Sequence, residues 1–258
     1  MKKNILIISI VAVLLGIVLV GISIIKSKTY KVQNPVATIQ IEGYDNPIKI
    51  ELDPNSAPNA VSNFIKLANN GFYTNYKLSI EENQLVADSS MEKATLSNIK
   101  EYPEKDYIYG IKADILSNGI NNYIKHEKGV ITMPNESMGY YVDLINTANS
   151  QFAILTSDVD SYNEIYAPFG KVVEGMDVLD AIASSRVEKN DENNAESDAT
   201  TQVSENDEEN KEEDNTNKIV IKSITVDTFG IDYGTPEVVN YTDLMNQFYS
   251  RMYGGNQQ

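Results

Sequence analysis

The chain has 258 residues, of which 37 are acidic and 21 basic, giving a formal net charge of −16; it contains one histidine and no cysteine. The length is sufficient for one or two domains with a substantial hydrophobic core. The lack of cysteine excludes disulfides, thiolate metal sites and a cysteine nucleophile. The negative charge argues against nucleic acid as a partner, since phosphate binding relies on Lys and Arg.

The N-terminal part of the chain predicts a membrane segment. Residues 5–25 carry no charge, and about 20 apolar residues suffice to cross the hydrocarbon core as a helix. The run is longer than the apolar region of a typical signal peptide, and no small-residue cleavage site closes it. We predict a signal anchor and tether over 1–34, with a cleaved signal peptide as the alternative.

Lysines flank this segment on both sides, at positions 2, 3, 26, 28 and 31. They leave the membrane orientation open. Because a lone N-terminal span usually translocates the domain behind it, we expect a single-pass protein of the cell membrane. Its C-terminal domain would then lie outside the cytoplasm.

The region after the tether begins with a hairpin and a helix. Apolar and polar residues alternate over 37–41 and again over 48–52, on either side of a turn, which is typical of an antiparallel hairpin. A helix then starts at Pro58, where the missing N–H costs nothing, and ends at Gly71. Further strands are predicted at 129–132, 152–156, 169–173 and 219–226, with a second helix over 176–183.

Residues 188–217 have a different composition. They include twelve acidic and two basic residues with almost no apolar side chain, too polar to offset the entropy cost of ordering. Strand periodicity resumes afterwards, so we predict a disordered acidic insertion within one domain that spans 35–233. A weak surface for cations or basic partners is the alternative role for this segment.

The C-terminal tail, 234–258, contains a possible short helix. Thr242 would cap it, with Leu244, Phe248 and Met252 on one side. We expect the helix to dock on its own domain; a partner-binding helix is the alternative.

Several motifs occur in an order that resembles the cyclophilin family of peptidyl-prolyl cis-trans isomerases. The most specific are N-S-Q-F-x-I at 149–154 and F-G-K-V-x-E-G-M-D-V at 169–178. Segments 48–64, 71–73, 118–133 and 219–229 are similar to other parts of the family pattern. The resemblance implies an all-β fold with capping helices: a closed, eight-stranded antiparallel barrel with a helix over each open end.

The resemblance also implies an activity. Rotation of a peptide bond is slow because amide conjugation sets a barrier of about 18–20 kcal/mol. Lowering that barrier for proline requires no nucleophile, metal or cofactor, and none is expected here. In the family, an arginine of an F-H-R motif donates a hydrogen bond near the prolyl nitrogen in the twisted transition state.

This sequence departs from the family pattern at the positions expected to carry the chemistry. Counting along the motif, F-H-R falls on Leu78, Ser79 and Ile80, and an isoleucine donates no hydrogen bond. The pocket phenylalanine is replaced by Ala153. The nearest cation in sequence is Lys77, whose mobile ammonium is a poor substitute for a planar guanidinium.

Two functions remain open from the sequence: a divergent prolyl isomerase that assists the folding of exported proteins, and a degenerate cyclophilin that binds peptides or supports assembly at the membrane. Proline-containing peptides or unfolded exported proteins would be the partners of either. His126 lies where bacterial members carry a histidine outside the catalytic set, so a structural role is expected for it. The candidates for lining the peptide groove are Leu85, Val86, Asp88, Met133, Asn135, Gln151, Phe152, Ala153, Tyr162 and Tyr166.

Overall fold

A computed structural model describes residues 33–196 and 218–253. The predicted anchor at 5–25, and most of the tether, lie outside the described residues. Within the described ranges, no helix combines the length and apolar character needed to cross a membrane.

The described residues form ten strands and three α-helices. The strands are β1 Val36–Ile41, β2 Ile48–Leu52, β3 Tyr76–Ile80, β4 Gln84–Ala87, β5 Tyr109–Ile111, β6 Val130–Met133, β7 Ala153–Leu155, β8 Ala167–Glu174, β9 Lys218–Asp227 and β10 Val238–Asn240. The helices are α1 Pro58–Asn69, α2 Met176–Glu196 and α3 Tyr241–Tyr253.

Eight of the strands close into a barrel. Their order is β1-β2-β8-β6-β7-β4-β3-β9, with β9 returning to β1, and the neighbouring pairs are antiparallel. The predicted eight-stranded antiparallel barrel is therefore confirmed. Closure leaves these strands without a free edge, which removes the usual risk of edge-to-edge association.

The barrel interior is filled by the apolar residues that alternate along each strand. Ile39 and Ile48 lie opposite each other in β1 and β2, and both are fully buried. Four aromatic rings, those of Phe64, Tyr73, Phe152 and Phe169, pack within 5.4 to 5.5 Å of one another in contacting pairs. Aromatic rings bury large apolar areas, and their tilted and edge-on contacts stabilise the core further.

Helix α1 begins at Pro58, as predicted, and its N-terminus is held by a carboxylate from a distant loop. Asp114 accepts hydrogen bonds from the backbone N–H groups of Asn59 and Ala60, at 3.3 and 2.7 Å. These groups have no partner within the helix, so the contact satisfies them. Burial raises the pKa of Asp114 to about 6, although the hydrogen bonds from α1 act in the opposite direction. Gly71, with φ of +77°, turns the chain away after the helix.

Helix α2 begins after Gly175, whose φ is +83° and whose backbone comes so close to Pro47 that a Cβ would lie 2.5 Å from the Pro47 carbonyl oxygen. Only glycine fits there. The helix continues to Glu196, well beyond the predicted end at residue 183. Residues 188–196 are thus helical, which corrects their assignment to a disordered insertion; residues 197–217 lie outside the described residues.

The C-terminal helix α3 follows β10, which pairs with β5 outside the barrel. As expected, α3 docks on its own domain: the Phe248 ring meets that of Tyr141 at 5.1 Å, and Arg251 bonds Asp143 at 2.7 Å. The predicted cap is wrong, however. Asn240, two residues before Thr242, accepts the Asp243 N–H at 3.1 Å.

Candidate functional site

The candidate site lies on the outer surface of four neighbouring strands, β3, β4, β7 and β6. Residues directly opposite each other in antiparallel strands project to the same face of the sheet. The registers place Ser79 opposite Val86, Val86 opposite Ala153, and Ala153 opposite Thr132. Strand β9 extends this line beyond β3, because Lys218 lies opposite Ser79. We call these five residues the outer row.

The residues that alternate with the outer row face the barrel core. Ile80 lies opposite Leu85, and Leu85 lies opposite Ile154. All three belong to the core cluster and are at most 6% exposed. Ile80, the position assigned to the family arginine by counting, therefore points inward, and the outward residue is Ser79. Counting along the motif placed the family arginine at Ile80; the register instead places Ser79 on the outer face, because a shift of one residue along a strand reverses the face.

Three further candidates are removed from the groove for the same reason. Leu85, Met133 and Phe152 are fully buried within the core cluster. The Phe152 ring packs edge-on against Phe64 and Tyr73, with centroids 5.5 and 5.4 Å away. These side chains support the strands from inside and cannot contact a peptide on the outer surface.

Asp88 is buried at the end of the outer row in a network of hydrogen bonds. Its Oδ2 accepts the Ser79 hydroxyl at 2.7 Å, and its Oδ1 accepts both the backbone N–H of Ser90, at 2.9 Å, and the Ser90 hydroxyl. The ammonium of Lys218 lies 3.8 Å from Oδ2. Both oxygens of this carboxylate are therefore engaged within the protein.

The environment of Asp88 fixes its charge. Burial alone would raise its pKa, but the hydrogen bonds from Ser90 and Ser79, together with the charge of Lys218, lower it to about 2. The carboxylate stays ionised at neutral pH. Because its oxygens are already satisfied, Asp88 is built to hold neighbouring side chains in place rather than to attract basic peptides.

Lys218 was missed by the sequence analysis. It comes from β9, far along the chain from β3 and β4, and only barrel closure brings it beside Ser79. Its side chain is 16% exposed. Lys77, the cation that the sequence suggested, forms no ion pair with the carboxylates of the described residues. No sequence signal marks Lys218 without the strand register.

His126 is held by two hydrogen bonds at the β6 end of the outer row. Its Nδ1 lies 3.0 Å from the Asn163 amide oxygen, and its Nε2 lies 2.9 Å from the Thr132 hydroxyl. An amide oxygen only accepts, so Nδ1 carries the proton and Nε2 accepts from Thr132. Burial lowers the pKa of His126, which favours the neutral ring. These contacts are structural, in agreement with the expectation.

Tyr162 packs close to the β6 end of the outer row. Its ring meets His126 edge-on at 5.9 Å, and His126 in turn bonds Thr132. Burial and the charge of the Glu81 carboxylate raise the pKa of Tyr162, although the Gln84 side chain acts in the opposite direction. Ala153, opposite Thr132, is fully buried even though it faces outward.

Tyr166 extends the aromatic surface. Its ring meets Tyr162 at 4.8 Å in an edge-on arrangement, and burial raises its pKa. A cavity of about 330 Å³ lies beside the two rings, between residues 138–140 and 161–166. The structure therefore brings the two candidate tyrosines together.

The remaining candidates have different environments. Asn135 is 7% exposed; it donates to the Ile165 carbonyl at 2.8 Å and accepts the Ser137 N–H at 3.0 Å, so it shapes a loop. Gln151 is half-buried, and its side chain makes no hydrogen bond to the described residues. Val86 is also half-buried, at the centre of the outer row. Of these three, Gln151 and Val86 are thus available to a peptide, as are the half-buried Tyr162 and Tyr166.

The site has no arrangement that suggests a metal. Within residues 33–196 and 218–253, the acidic side chains and His126 form no group of three that could hold an ion.

Comparison with known proteins identifies the family. Residues 36–225 match the model of the cyclophilin type peptidyl-prolyl cis-trans isomerase/CLD family. The chain belongs to this family. The matched segment includes the whole outer row and every strand of the barrel except the last two residues of β9.

Two curated bacterial relatives support the assignment. Peptidyl-prolyl cis-trans isomerase B of Bacillus subtilis is 28% identical over 144 residues, which are 56% of this chain and 88% of the relative. A peptidyl-prolyl cis-trans isomerase of Acinetobacter baylyi is 27% identical over 180 residues, covering 67% and 81%.

Solved structures show the same fold. A crystal structure of a cyclophilin-type peptidyl-prolyl cis-trans isomerase of Cryptosporidium parvum matches with a TM-score of 0.50 and 18% identity, covering 74% of this chain and 96% of that one. A second crystal structure of that protein, in the presence of the dipeptide Ala-Pro, matches with the same score and covers 98% of its chain.

Proposed function

We propose that this cyclophilin-type domain binds proline-containing segments across the outer row and accelerates their cis-trans isomerisation, more slowly than relatives that carry the family arginine. The observation that carries the proposal is the outer row itself. It presents an apolar centre at Val86, with the Lys218–Asp88 pair at one end. Prolyl isomerisation requires a surface for the ring, groups that hold the backbone, and contacts that strengthen as the bond twists.

The half-buried residues supply those two elements. Val86 offers an apolar contact for the pyrrolidine ring, and the Gln151 amide is available to hold a peptide carbonyl or N–H. Ser79 is not a peptide donor in this arrangement, because its hydroxyl donates to Asp88. Any electrostatic contribution to catalysis must therefore come from another group.

A second candidate function is a peptide-binding or assembly module without catalysis. Two observations favour it. The outward residue of β3 is a serine where the family uses a guanidinium, and Ala153, in place of the pocket phenylalanine, is fully buried. A site that keeps surface contacts but lacks transition-state donors binds without accelerating.

The two functions are separated by measuring binding and isomerisation on the same sample. Full-length protein would be mixed with a labelled Ala-Pro tetrapeptide; chemical-shift changes report binding, and exchange spectroscopy reports the isomerisation rate. Acceleration above the uncatalysed rate supports the isomerase. Binding without acceleration supports the module, and the absence of both contradicts the two proposals. Gln151→Ala serves as the control that should weaken either signal.

For location, we propose that residues 5–25 anchor the protein in the cell membrane with the barrel outside the cytoplasm, where exported proteins would be its clients. The uncharged run and the flanking lysines support the proposal. Protease added to intact cells should digest the C-terminal domain while the N-terminus stays protected. Protection of the whole chain until the cells are lysed would contradict this orientation.

A further inference from the structure

We propose that Lys218 supplies the positive charge that the family obtains from its arginine, delivered from β9 instead of β3. The inference rests on the proposed isomerase function and names the residue that would stabilise its transition state. It is carried by the strand register and by the position of the Lys218 ammonium relative to Asp88 and Ser79.

The register places the lysine on the correct face of the barrel. Lys218 lies opposite Ser79, and Ser79 lies opposite Val86, so all three project outward. Adjacent strands are about 4.8 Å apart, so the Cα atoms of Lys218 and Val86 are separated by two strand spacings, about 10 Å. An extended lysine side chain covers more than half of that distance.

The ammonium is directed along the row toward β4. Lys218 Nζ lies 3.8 Å from Oδ2 of Asp88, the residue that follows β4. The same oxygen accepts the Ser79 hydroxyl at 2.7 Å. Nζ is therefore held above the strip between β3 and β4, the strip on which Ser79 replaces the expected cation.

The surroundings strengthen the charge. The Lys218 side chain is 16% exposed and that of Asp88 6%, so solvent screens the pair less than it would screen a surface pair. Asp88, fixed by Ser79 and Ser90, holds the ammonium in position without reorganisation during the reaction. A preorganised cation of this kind is worth more than a mobile one.

The proposed step makes and breaks no covalent bond. An ammonium has three N–H donors, so the contact with Asp88 does not use all of them. As the prolyl bond twists, the nitrogen lone pair loses conjugation with the carbonyl, and the Lys218 N–H donates a hydrogen bond to that lone pair. The proton stays on Nζ throughout. Because this hydrogen bond forms mainly in the twisted state, removal of the donor should lower kcat.

The test measures isomerisation by exchange spectroscopy with full-length protein and an Ala-Pro tetrapeptide. Lys218→Met should lower kcat at least about tenfold with KM within about twofold, because a transition-state donor is lost. Lys218→Arg should keep most of the rate, since it keeps a cationic donor. Lys222→Met, which removes an exposed lysine from the same strand, should leave kcat unchanged.

The outcomes distinguish the failure of each proposal. If the unmodified protein shows no acceleration, the isomerase function fails. If the protein is active and Lys218→Met keeps its kcat, or if the loss follows Lys77→Met instead, the role of Lys218 is overturned. Should Lys218→Met unfold, Lys218→Leu and the Lys218→Arg rescue give the same comparison, with folding checked by the melting temperature; an active Lys218→Leu also overturns it.

Discussion

The two faces of β3, β4 and β7 differ sharply. On the inner face, Ile80, Leu85 and Ile154 line up in a fully apolar core. On the outer face, the opposite partners are Ser79, Val86 and Ala153, small residues beside a buried ion pair. The same strands therefore keep the interior that builds the barrel while the surface departs from the family pattern. The residues that build the fold and the residues that a peptide would meet therefore lie on opposite faces of the same strands.

The largest expected effect comes from placing a charge on the inner face. Ile80→Arg should lower the free energy of unfolding by more than about 3 kcal/mol, because it buries a guanidinium without a partner. Chemical denaturation followed by circular dichroism measures the loss.

The matched change on the outer face is Ser79→Arg. It places the guanidinium on the outer face, beside the ionised Asp88 carboxylate, so the cost should be about 1 kcal/mol or less. Equal stability of the two variants, or a higher isomerisation rate for Ile80→Arg, would contradict the assignment of the faces.

The Asp88 carboxylate, held by hydrogen bonds from Ser90 and Ser79 and by the charge of Lys218, should contribute next. Because the pKa of Asp88 is about 2 in the folded protein, below its ordinary value of 3.8, the stabilisation is complete above pH 4 and is lost as the pH falls toward 2. The difference amounts to about 2 kcal/mol. Urea titrations of the natural protein and Asp88→Asn across this range should converge at low pH.

Asp114 provides a control, because its contribution to stability changes with pH in the opposite direction. Its pKa is raised by burial to about 6, so the folded state binds the proton more tightly and stability rises as the pH falls from 6 to 4. Asp114→Asn should remove that dependence of stability on pH. It should leave unchanged the loss of stability between pH 4 and 2 that is due to Asp88. If both variants altered the same pH range, the two environments would be wrongly assigned.

A smaller effect on the free energy of unfolding is expected at Ala153, on the outer face of β7. Ala153→Phe introduces the residue of the family pattern, but Ala153 is fully buried. It lies opposite Thr132, whose partner His126 packs against Tyr162. The larger ring should cost about 1 to 2 kcal/mol by overpacking. Adding Tyr162→Ala should recover part of that loss, which a double-mutant cycle measures; strict additivity would show that the two positions are not coupled.

The smallest effect on stability is expected at Gln151. Gln151 is half-buried and makes no hydrogen bond to the described residues, so Gln151→Ala should change the free energy of unfolding by less than about 0.5 kcal/mol. Its neighbour gives the contrast: Phe152→Ala, in the core, should cost about 3 to 5 kcal/mol. Thermal melts of the pair test whether adjacent residues serve opposite faces.

The motifs that indicated the family report mainly on structure. Asn149 accepts the Ala94 N–H at 2.7 Å and donates to the Tyr109 carbonyl at 2.6 Å, joining three segments of backbone. Gly170 lies so close to β2 that a Cβ would come within 2.6 Å of the Glu51 carbonyl oxygen. Residues with such local requirements can be recognised in sequence, and for this reason the barrel, α1 and the start of α2 were predictable.

The sequence by itself determined the first hairpin, the start of α1 and the start of α2, because alternation along a strand, a proline at a helix start and glycines at close approaches are properties of neighbouring residues. The closed barrel was implied by the resemblance of its motifs to the cyclophilin family. Only the tertiary structure decided which residues form the site. Whether Ser79 or Ile80 faces outward depends on register, and the placement of Lys218 beside Asp88 depends on barrel closure between distant segments. Residues that meet across strands are distant in the sequence and follow no local pattern, so only the folded structure shows which of them are in contact.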